Sequence, residues 1–521
     1  MKSIKIIVVL FLWVSFNLVH SQSNGPVVFD FGLDVSNYGV ECSSVLPAEH
    51  EGIAFGITGD IVKNETYCTT GSYFAFWAEL PEGNYRVKVA VGSEIEASNT
   101  TIKAESRRLM VYNHDTPAGV IDTLEFIVSR RSPIINTGGS ISLKTGESGR
   151  LNWDGYLSLE FTGYYPCIRS LSIEEVDVPT IFLAGDSTVV DQENDPWTSW
   201  GQIFPIFLKP EVVVANYAES GESLLSFQGE KRLKKIESQI KMGDYLFSEF
   251  AHNDQKSGWT YVEPYTTYQE NLMVFANVAL NVEATPVFVT STNRRSFDSN
   301  GNIINTLGDY PDAMRQLAGS QNITLFDLNA MSKDLFEALG VTGSKNAFVH
   351  YPANYFPWGN TSFSDNTHFN MYGAWQLAKC VVEAIRVSNS PLKNFLRDDV
   401  QPYDANVPDL FESLVWPIHS ASKISLSGSL TNECVIEDAL KITDINGKIE
   451  VSFYPNPADG LISFQTEDIQ LVEILSVDGK LLINKSMDNQ EGLDVSSLPQ
   501  GIYILRIRTD VGIGVGRLVK R

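Results

Sequence analysis

The sequence predicts three folded units: an antiparallel β-sandwich, an α/β unit with a parallel sheet, and a small β-sandwich at the C-terminus. Short alternating segments separated by turn residues, such as residues 85–91, indicate the first unit. Apolar strands and amphipathic helices alternate from residue 180 onward, which is typical of a parallel sheet covered on both faces. Short strands return after residue 450. A chain of 521 residues is long enough for several domains.

Residues 1–21 have the pattern of a secretory signal peptide. Lys2 and Lys5 precede an apolar segment that ends in small residues. A membrane anchor is the alternative, but the apolar run is short for a bilayer, and no later stretch is long enough to span one. The formal net charge of −24 argues against a nucleic-acid partner and an anionic membrane surface. We therefore expect a secreted or cell-surface protein.

The five cysteines show no CxxC spacing, so no metal site is expected from them. Cys42 and Cys68 could pair in an oxidising compartment. Cys380 lies in a helical pattern, and we expect it to be buried as a small apolar residue.

The first unit is predicted over residues 27–178, with strands at residues 85–91, 124–128 and 156–161. Trp153, Arg107 and Arg108 have two interpretations. They could line a sugar site, or Trp153 could belong to the core while the arginines support packing or a domain contact. We prefer the second, because a sandwich fold does not by itself define a function.

The central unit is predicted over residues 179–400. The pattern gives strands at residues 181–184, 211–216, 244–250, 285–290 and 323–327, helices at 268–280, 311–317 and 372–385, and a helix end at 236–242. Polar clusters follow the first four strands, at residues 185–187, 219–223, 251–254 and 292–295, and another at 365–368 precedes the last helix. Since parallel strands end at one edge of a sheet, these clusters are expected to line one pocket.

Ser187 is the candidate nucleophile of this pocket. A serine hydroxyl needs a base, which His368 can supply, and Asp365 can hold the second ring nitrogen and stabilise the imidazolium. The Asp-x-x-His spacing lets both side chains come from one turn just ahead of a helix. The developing oxyanion needs donors, and the backbone N–H groups of Ser187 and Gly221 and the side-chain amide of Asn253 could supply three.

Each of these residues also has a plain structural interpretation. Asp365 could cap a helix, and His368 could lie on the surface. Asn253 could form a turn, and Gly221 could permit a tight one. All four together are improbable, because the residues occur in order and at the same predicted edge.

The order Gly-Asp-Ser, Gly, Asn and Asp-x-x-His resembles the SGNH (GDSL) hydrolases. Gly-Asp-Ser-Thr-Val at 185–189, His-Asn-Asp-Gln-Lys at 252–256 and stretches at 200–202, 266–268, 294–297, 310–315 and 365–369 resemble the rhamnogalacturonan acetylesterase family. The resemblance implies a flavodoxin-like hydrolase that removes acetyl groups from pectic polysaccharide without a metal or organic cofactor. It implies Ser187, His368 and Asp365 as catalytic residues. It implies Ser187, Gly221 and Asn253 as oxyanion donors.

The preceding sandwich resembles the galactose-binding-like domain found before this catalytic domain in bacterial members.

Two features of the central unit bear on activity and substrate. The family usually has Gly ahead of His-Asn-Asp, where this chain has Ala251, whose methyl group could crowd the oxyanion donor or force a backbone shift. Arg294 and Arg295 could bind the carboxylate of galacturonate, or could brace the pocket through Asp or Glu neighbours.

Residues 401–442 are predicted as a connector and linker, of which the part up to residue 417 could pack back on the central unit. Residues 443–521 form a small β pattern with a hairpin turn signal, Asp478-Gly479. Tyr-Pro-Asn-Pro at 454–457 and Leu-Pro-Gln-Gly-Ile-Tyr at 498–503 resemble the C-terminal sorting domain of the type IX secretion system. This implies export across the outer membrane, with the secretion machinery as a partner. A carbohydrate-binding module is the alternative.

The sequence therefore predicts a carbohydrate esterase that deacetylates pectic rhamnogalacturonan through an acetyl-enzyme. An acetylesterase for another plant glycan, such as xylan, is the nearest alternative. A glycan-binding protein with a catalytic centre weakened at Ala251 is the alternative from a different class.

Overall fold

The computed structural model describes residues 25–31, short segments between residues 48 and 69, residues 73–163, 165–356 and 360–414, and the strands and adjoining turns between residues 453 and 520. The predicted signal peptide, Cys42, the side chain of Cys68 and the linker from residue 415 lie outside the described part, so those predictions stay untested. No helix among the described residues combines the length and the apolar character needed to cross a membrane.

The N-terminal unit consists of two antiparallel sheets that pack face to face around one core. Its strands are β1 (Val27–Asp30), β2 (Ala48–His50), β3 (Ile53–Gly59), β4 (Val62–Lys63), β5 (Cys68–Thr69), β6 (Tyr73–Glu79), β7 (Gly83–Val91), β8 (Ser98–Ala104), β9 (Arg108–Thr116), β10 (Asp122–Arg130), β11 (Tyr156–Thr162) and β12 (Ile168–Glu175). One sheet has the order β10-β7-β12-β5-β4, with β1 on β12, and the other has the order β2-β3-β6-β11-β8-β9. Alternate residues of β7, such as Val87 and Val89, are fully buried, as the period-2 pattern predicts. The three strands predicted from sequence are confirmed.

The central unit is a five-stranded parallel sheet with helices on both faces. Its elements are β13 (Thr180–Gly185), α1 (Trp200–Ile203), β14 (Val213–Asn216), α2 (Leu224–Gly229), α3 (Arg232–Glu237), β15 (Tyr245–Glu249), α4 (Gln269–Leu280), β16 (Thr285–Val289), α5 (Tyr310–Gln321), β17 (Thr324–Phe326), α6 (Leu328–Gly343), β18 (Phe348–Tyr351), β19 (Phe363–Phe369) and α7 (Met371–Val387). Short 3₁₀ helices lie at Leu151–Trp153, Phe204–Phe207, Ser344–Ala347, Pro391–Phe395 and Phe411–Ser413, and a π-helical turn at Pro264–Tyr268. The strand order is β14-β13-β15-β16-β17.

The predicted strands and helices of this unit are confirmed, with two differences. The helix expected to end near residue 242 is α3, which ends at Glu237 and is followed by turns. The sequence interpretation also missed the short helices α1 and α2, the helix α6 and the antiparallel pair β18–β19. The pair β18–β19 lies where the strand–helix alternation breaks down before α7.

Strand β13 is buried on both faces of the sheet. Ile181 and Leu183 face the apolar cluster that includes α7, whereas Phe182 and Ala184 face the cluster that includes α4. Fully burying a side chain such as Leu or Phe contributes about 1.5–3 kcal/mol. The strand that ends at the candidate nucleophile is therefore fixed by packing from both sides.

The sandwich and the α/β unit share contacts that are themselves buried. Leu109, on β9, lies in the same apolar cluster as Ile181 of the central sheet. Arg108 pairs with Asp191 at 2.8 Å, with both side chains almost fully buried, and Arg107 pairs with Asp195. The interpretation of Arg107 and Arg108 as a domain contact is confirmed.

Trp153 is partly buried against the second apolar cluster of the central unit. The guanidinium of Arg131 lies over its ring, 4.8 Å from the ring centre. This packing agrees with the core interpretation of Trp153 rather than with a sugar platform.

Residues 401–414 pack back on α7, as predicted. Tyr403 and Ala405 are buried in the α7 cluster, and the Tyr403 hydroxyl donates to Gln376 at 2.8 Å. Lys379 pairs with Asp409 at 2.8 Å. Cys380, on α7, is fully buried, which confirms the expectation for this residue.

The C-terminal unit contains two small antiparallel sheets. Its strands are β20 (Phe453–Tyr454), β21 (Leu461–Phe464), β22 (Leu471–Ser476), β23 (Leu481–Ser486), β24 (Gly492–Asp494), β25 (Gly501–Arg508) and β26 (Ile513–Lys520). The sheet orders are β20-β21-β24 and β23-β22-β25-β26. The pairing of β22 with β23 confirms the hairpin expected around Asp478-Gly479, although the turn itself lies outside the described residues.

Candidate active site

Ser187 lies just after the C-terminal end of β13, between strands β14 and β15. The chain crosses from β13 to β14 on one side and to β15 on the other, which opens a crevice at this strand end. Gly185 allows the tight turn there, because a Cβ atom would lie 2.6 Å from a methyl group of Val189. The Asp186 carboxylate accepts from the Thr188 backbone N–H at 2.9 Å and so closes the turn. The serine hydroxyl is thereby presented on a rigid turn.

Asp365 and His368 occupy a bulge in β19. Phe369 pairs with Phe348 and Ser364 with His350, so residues 365–368 lie opposite the single residue Val349. One Asp365 oxygen accepts from the backbone N–H of Thr367 at 2.8 Å and of His368 at 3.0 Å. The two side chains therefore come from one local turn, as predicted, but this turn is built into a strand two residues before α7 begins.

The three side chains form a continuous hydrogen-bonded row. The second Asp365 oxygen lies 2.7 Å from His368 Nδ1, and His368 Nε2 lies 2.9 Å from Ser187 Oγ. Burial opposes ionisation of Asp365, but the hydrogen bonds from the His368 ring and from two backbone N–H groups outweigh it and lower its pKa to about 2. An ionised Asp365 holds the ring proton on Nδ1 and leaves Nε2 free to accept.

The three predicted oxyanion donors lie on separate loops of this edge. Within the described chain, the backbone N–H of Ser187 and that of Gly221 donate to no protein acceptor. Gly221 has a φ of +82°, which side-chain-bearing residues rarely adopt. Asn253 Nδ2 donates to the Glu222 carbonyl at 2.8 Å and approaches Asp186 only at 3.5 Å. Its second hydrogen thus has at most a weak partner.

Ala251 precedes the stretch that carries Asn253 and is buried in the core. The residue is 1% exposed and belongs to the apolar cluster on the α4 face of the sheet. Its φ is not among the positive values of the described residues. The expectation that this position could demand a positive φ is wrong, and the methyl group belongs to the apolar core. Its effect on the oxyanion donor and on turnover stays a prediction.

Buried carboxyl groups lie directly beneath the nucleophile. Burial, reinforced by neighbouring Asp186, raises the pKa of Glu249 to about 8, although hydrogen bonds from Trp200 and Thr188 oppose the rise. Burial likewise raises the pKa of Asp186. Thr188 Oγ1 lies 2.8 Å from Asp186 and 3.0 Å from Glu249 and so links the two carboxyl groups.

Arg294 and Arg295 lie at this edge with neutral partners. Arg294 donates to Thr306 Oγ1 at 3.2 Å, and Arg295 donates to Asn366 Oδ1 at 3.1 Å, next to Asp365. No carboxylate of the described residues lies within ion-pair distance of either guanidinium. The anchors of the two side chains are hydroxyl, amide and carbonyl groups, and Asp186 acts on Arg294 only from beyond ion-pair distance.

Two lysines at the site had no role in the sequence interpretation. Lys144, from the loop between β10 and β11, donates to the Ser220 carbonyl at 2.6 Å. Lys256 donates to Asn253 Oδ1 at 2.6 Å. Lys256 belongs to a stretch that resembles the family, but Lys144 is 76 residues from Ser220 and its contact follows only from the tertiary fold.

A serine at the end of the first strand of this sheet, hydrogen-bonded to a histidine just before its last helix, is an arrangement suited to acyl transfer. Residues 181–381 match the model of the GDSL-like lipase/acylhydrolase family. The rhamnogalacturonan acetylesterase RhgT of Bacillus subtilis (strain 168) is 46% identical over 218 residues, which cover 42% of this chain and 93% of that protein. The chain belongs to the rhamnogalacturonan acetylesterase family and is a carboxylic ester hydrolase of the GDSL type.

A further relative, a solved structure and a second family model are also similar to this chain. The probable rhamnogalacturonan acetylesterase YesY of the same organism is 33% identical over 217 residues, covering 41% of this chain and 94% of that protein. The X-ray crystal structure of the Bacillus subtilis protein YxiM covers 70% of this chain and 98% of its own, with 22% identity and a TM-score of 0.38. Residues 452–521 match the secretion system C-terminal sorting domain, so the protein is secreted or displayed at the cell surface by the type IX route. The galactose-binding-like character of the sandwich stays a prediction.

Proposed function

We propose that this acetylesterase removes acetyl groups from pectic rhamnogalacturonan, with Ser187 as nucleophile, His368 as base and Asp365 as its partner. The observation that carries the proposal is the hydrogen-bonded row from Asp365 through His368 to Ser187 Oγ. The names of the relatives RhgT and YesY support the substrate class.

The acylation step follows from this row. Ser187 Oγ attacks the acetyl carbonyl carbon while its proton passes to His368 Nε2, and the resulting imidazolium is stabilised by Asp365. The oxyanion is bound by the N–H groups of Ser187 and Gly221 and by the second hydrogen of Asn253 Nδ2, whose contact with Asp186 is weak. When the intermediate collapses, the sugar oxygen leaves with the proton held by His368.

Deacylation repeats these steps with water. His368 removes a proton from a water molecule, whose oxygen attacks the carbonyl of the acetyl-Ser187 ester. The second tetrahedral intermediate expels Ser187 Oγ, which takes the proton back, and acetate is released. The same three donors stabilise both oxyanions.

Arg294 and Arg295 favour an anionic glycan over a neutral one. No carboxylate of the described residues lies within ion-pair distance of either guanidinium, in a chain whose formal net charge is −24. A galacturonate carboxylate can accept from a guanidinium in a charge-assisted hydrogen bond. This local positive site would offset the repulsion between an acidic protein and a polyanion.

The catalytic roles are tested by Ser187→Ala in the purified mature protein. Acetate release from acetylated rhamnogalacturonan should fall by at least about 10³-fold, because no other group forms the acetyl-enzyme. Ser299→Ala, at an exposed serine, is the matched control and should retain wild-type activity. Wild-type acetate release by Ser187→Ala would contradict the mechanism.

The substrate is tested by comparing acetylated rhamnogalacturonan with acetylated xylan. We expect a higher kcat/KM on the pectic polymer, and Arg294→Gln should raise KM on that polymer severalfold while leaving the neutral polymer unchanged. Arg386→Gln, at an exposed arginine paired with Glu383, serves as control. Equal or better turnover of acetylated xylan would favour the alternative substrate.

A further inference from the structure

We propose that Lys144 and Lys256 are positioning residues that bind the oxygen side of two oxyanion-hole amides, and so orient and polarise the N–H groups that meet the oxyanion. The inference rests on the proposed esterase mechanism. It adds two residues to the site, one of which comes from the N-terminal unit.

Lys144 acts on the peptide bond that carries the Gly221 N–H. Its ammonium group lies 2.6 Å from the carbonyl oxygen of Ser220, and that carbonyl belongs to the same planar peptide as the Gly221 N–H. In a trans peptide the C=O and N–H bonds point in opposite directions. An ammonium group on the oxygen therefore leaves the N–H directed to the other side, where among the described residues it has no acceptor.

Lys256 makes the equivalent contact with a side-chain amide. Its ammonium group lies 2.6 Å from Asn253 Oδ1. This contact fixes which end of the amide is oxygen and which is nitrogen, and it places Nδ2 next to the Glu222 carbonyl, 2.8 Å away. The second hydrogen of Nδ2 is then the available donor.

The carbonyl oxygen of the third amide, the peptide between Asp186 and Ser187, also accepts hydrogen bonds. The N–H of Ser187 shares its peptide with the Asp186 carbonyl, which accepts from the backbone N–H groups of Val189 and Val190, each at 3.0 Å. All three donors thus have a carbonyl oxygen that is already hydrogen-bonded. Hydrogen bonds in such chains strengthen one another, and those from a charged group are the stronger ones.

Lys144 is itself held firmly between the two units. It pairs with Glu222, which is fully buried, and Glu222 is also 3.9 Å from Arg232. Arg150, from the same N-terminal loop, pairs with Glu219 at 3.1 Å. The loop that carries Gly221 is therefore fixed by side chains from the N-terminal unit, and the oxyanion hole is completed across the unit boundary.

The test uses the full mature chain and 4-nitrophenyl acetate, so that the result does not depend on the identity of the glycan. Lys256→Met is the cleanest variant, because Lys256 is exposed and has no carboxylate partner in the described chain. Its kcat should fall about tenfold, less than the 10²–10³-fold typical of losing a whole donor. KM and Tm should stay unchanged. Lys256→Arg should recover most of the loss.

Lys144→Met would leave Glu222 with one fewer partner, so it is combined with Glu222→Gln to keep the fold stable. The double variant should also lose about tenfold in kcat relative to Glu222→Gln alone. Lys333→Met, at a half-exposed lysine on α6, is the control and should retain wild-type kinetics. The inhibition constant of phenylboronic acid, which forms a tetrahedral adduct with serine, should rise with the loss in kcat.

A kcat of Lys256→Met within twofold of wild type would overturn the inference. So would a loss of kcat in the control Lys333→Met as large as the loss in Lys256→Met. A fall in Tm without a fall in kcat would also overturn it. These outcomes are distinct from failure of the mechanism, which would appear as full activity of Ser187→Ala in the same assay and would overturn both.

Discussion

Asp365→Asn is the substitution for which the hydrogen bonds specify the outcome most closely. One Asp365 oxygen accepts two backbone N–H groups, and the other faces His368 Nδ1 at 2.7 Å. An asparagine must place its oxygen toward the two backbone donors, so its NH₂ group faces Nδ1. That nitrogen then has to accept, and the ring proton moves to Nε2.

The consequence for Ser187 follows directly. Nε2 lies 2.9 Å from Ser187 Oγ and, once protonated, can no longer take the serine proton. In a serine protease with the same arrangement, this change lowers kcat by about 10⁴-fold. We expect a loss of the same order here, which corresponds to about 5 kcal/mol of transition-state stabilisation. The fold should be retained, because the asparagine oxygen keeps both backbone hydrogen bonds.

The assay is kcat for 4-nitrophenyl acetate, with Tm measured on the same samples. Asp365→Ala is the informative comparison. It removes the amide that would hold the His368 ring proton on Nε2, so it should be no less active than Asp365→Asn although it is the larger chemical change. Asp312→Asn, at an exposed carboxylate paired with Arg315, controls for loss of a surface charge. A loss of less than tenfold in Asp365→Asn would refute the reasoning.

Two further predictions concern stability. Arg108→Met should lower the free energy of unfolding by about 3 kcal/mol in urea titrations, because buried Asp191 loses its nearest partner. Arg86→Met, at a part-exposed pair, should cost at most about 1 kcal/mol, and equal losses would contradict this account. Glu249, with a folded-state pKa of about 8 against an ordinary 4.5, stays protonated in the folded chain while the unfolded chain ionises, so wild-type stability should decline between about pH 4.5 and pH 8. Burial also raises the pKa of Glu105 and of Asp254 to about 8, so Glu249→Gln should make the decline shallower without abolishing it and should raise stability at pH 8. An unchanged slope would show that Glu249 does not contribute to it.

The sequence was most informative where local pattern and chemistry coincide. Strand ends are marked by a switch from apolar to polar residues, and parallel strands share an edge, so Ser187 could be placed there without coordinates. Asp365 and His368 are three residues apart, and their proximity was therefore predictable. That they lie in a β19 bulge was not, because the pairing with β18 depends on a partner strand that the pattern did not reveal.

The long side chains could not be placed from sequence. Lys144 reaches Ser220, 76 residues away, only because two separate units pack together. The anchors of Arg294 and Arg295 are hydroxyl, amide and carbonyl groups, which have no sequence signal comparable to a charge pair. The environment of Ala251 likewise depends on which way its methyl group points, and this direction is a property of packing.

The buried contacts of Arg108 with Asp191 bear on how the chain unfolds. A division of the chain near residue 178 describes architecture, but a carboxylate whose partner lies on the other side of that line links the two parts thermodynamically. We expect the two parts to melt in one cooperative transition. A hydrolase cut out at this position would retain Asp191 without its arginine and would lose Leu109 from its core. An engineered fusion that carries this catalytic unit would therefore have to include the N-terminal sandwich as well.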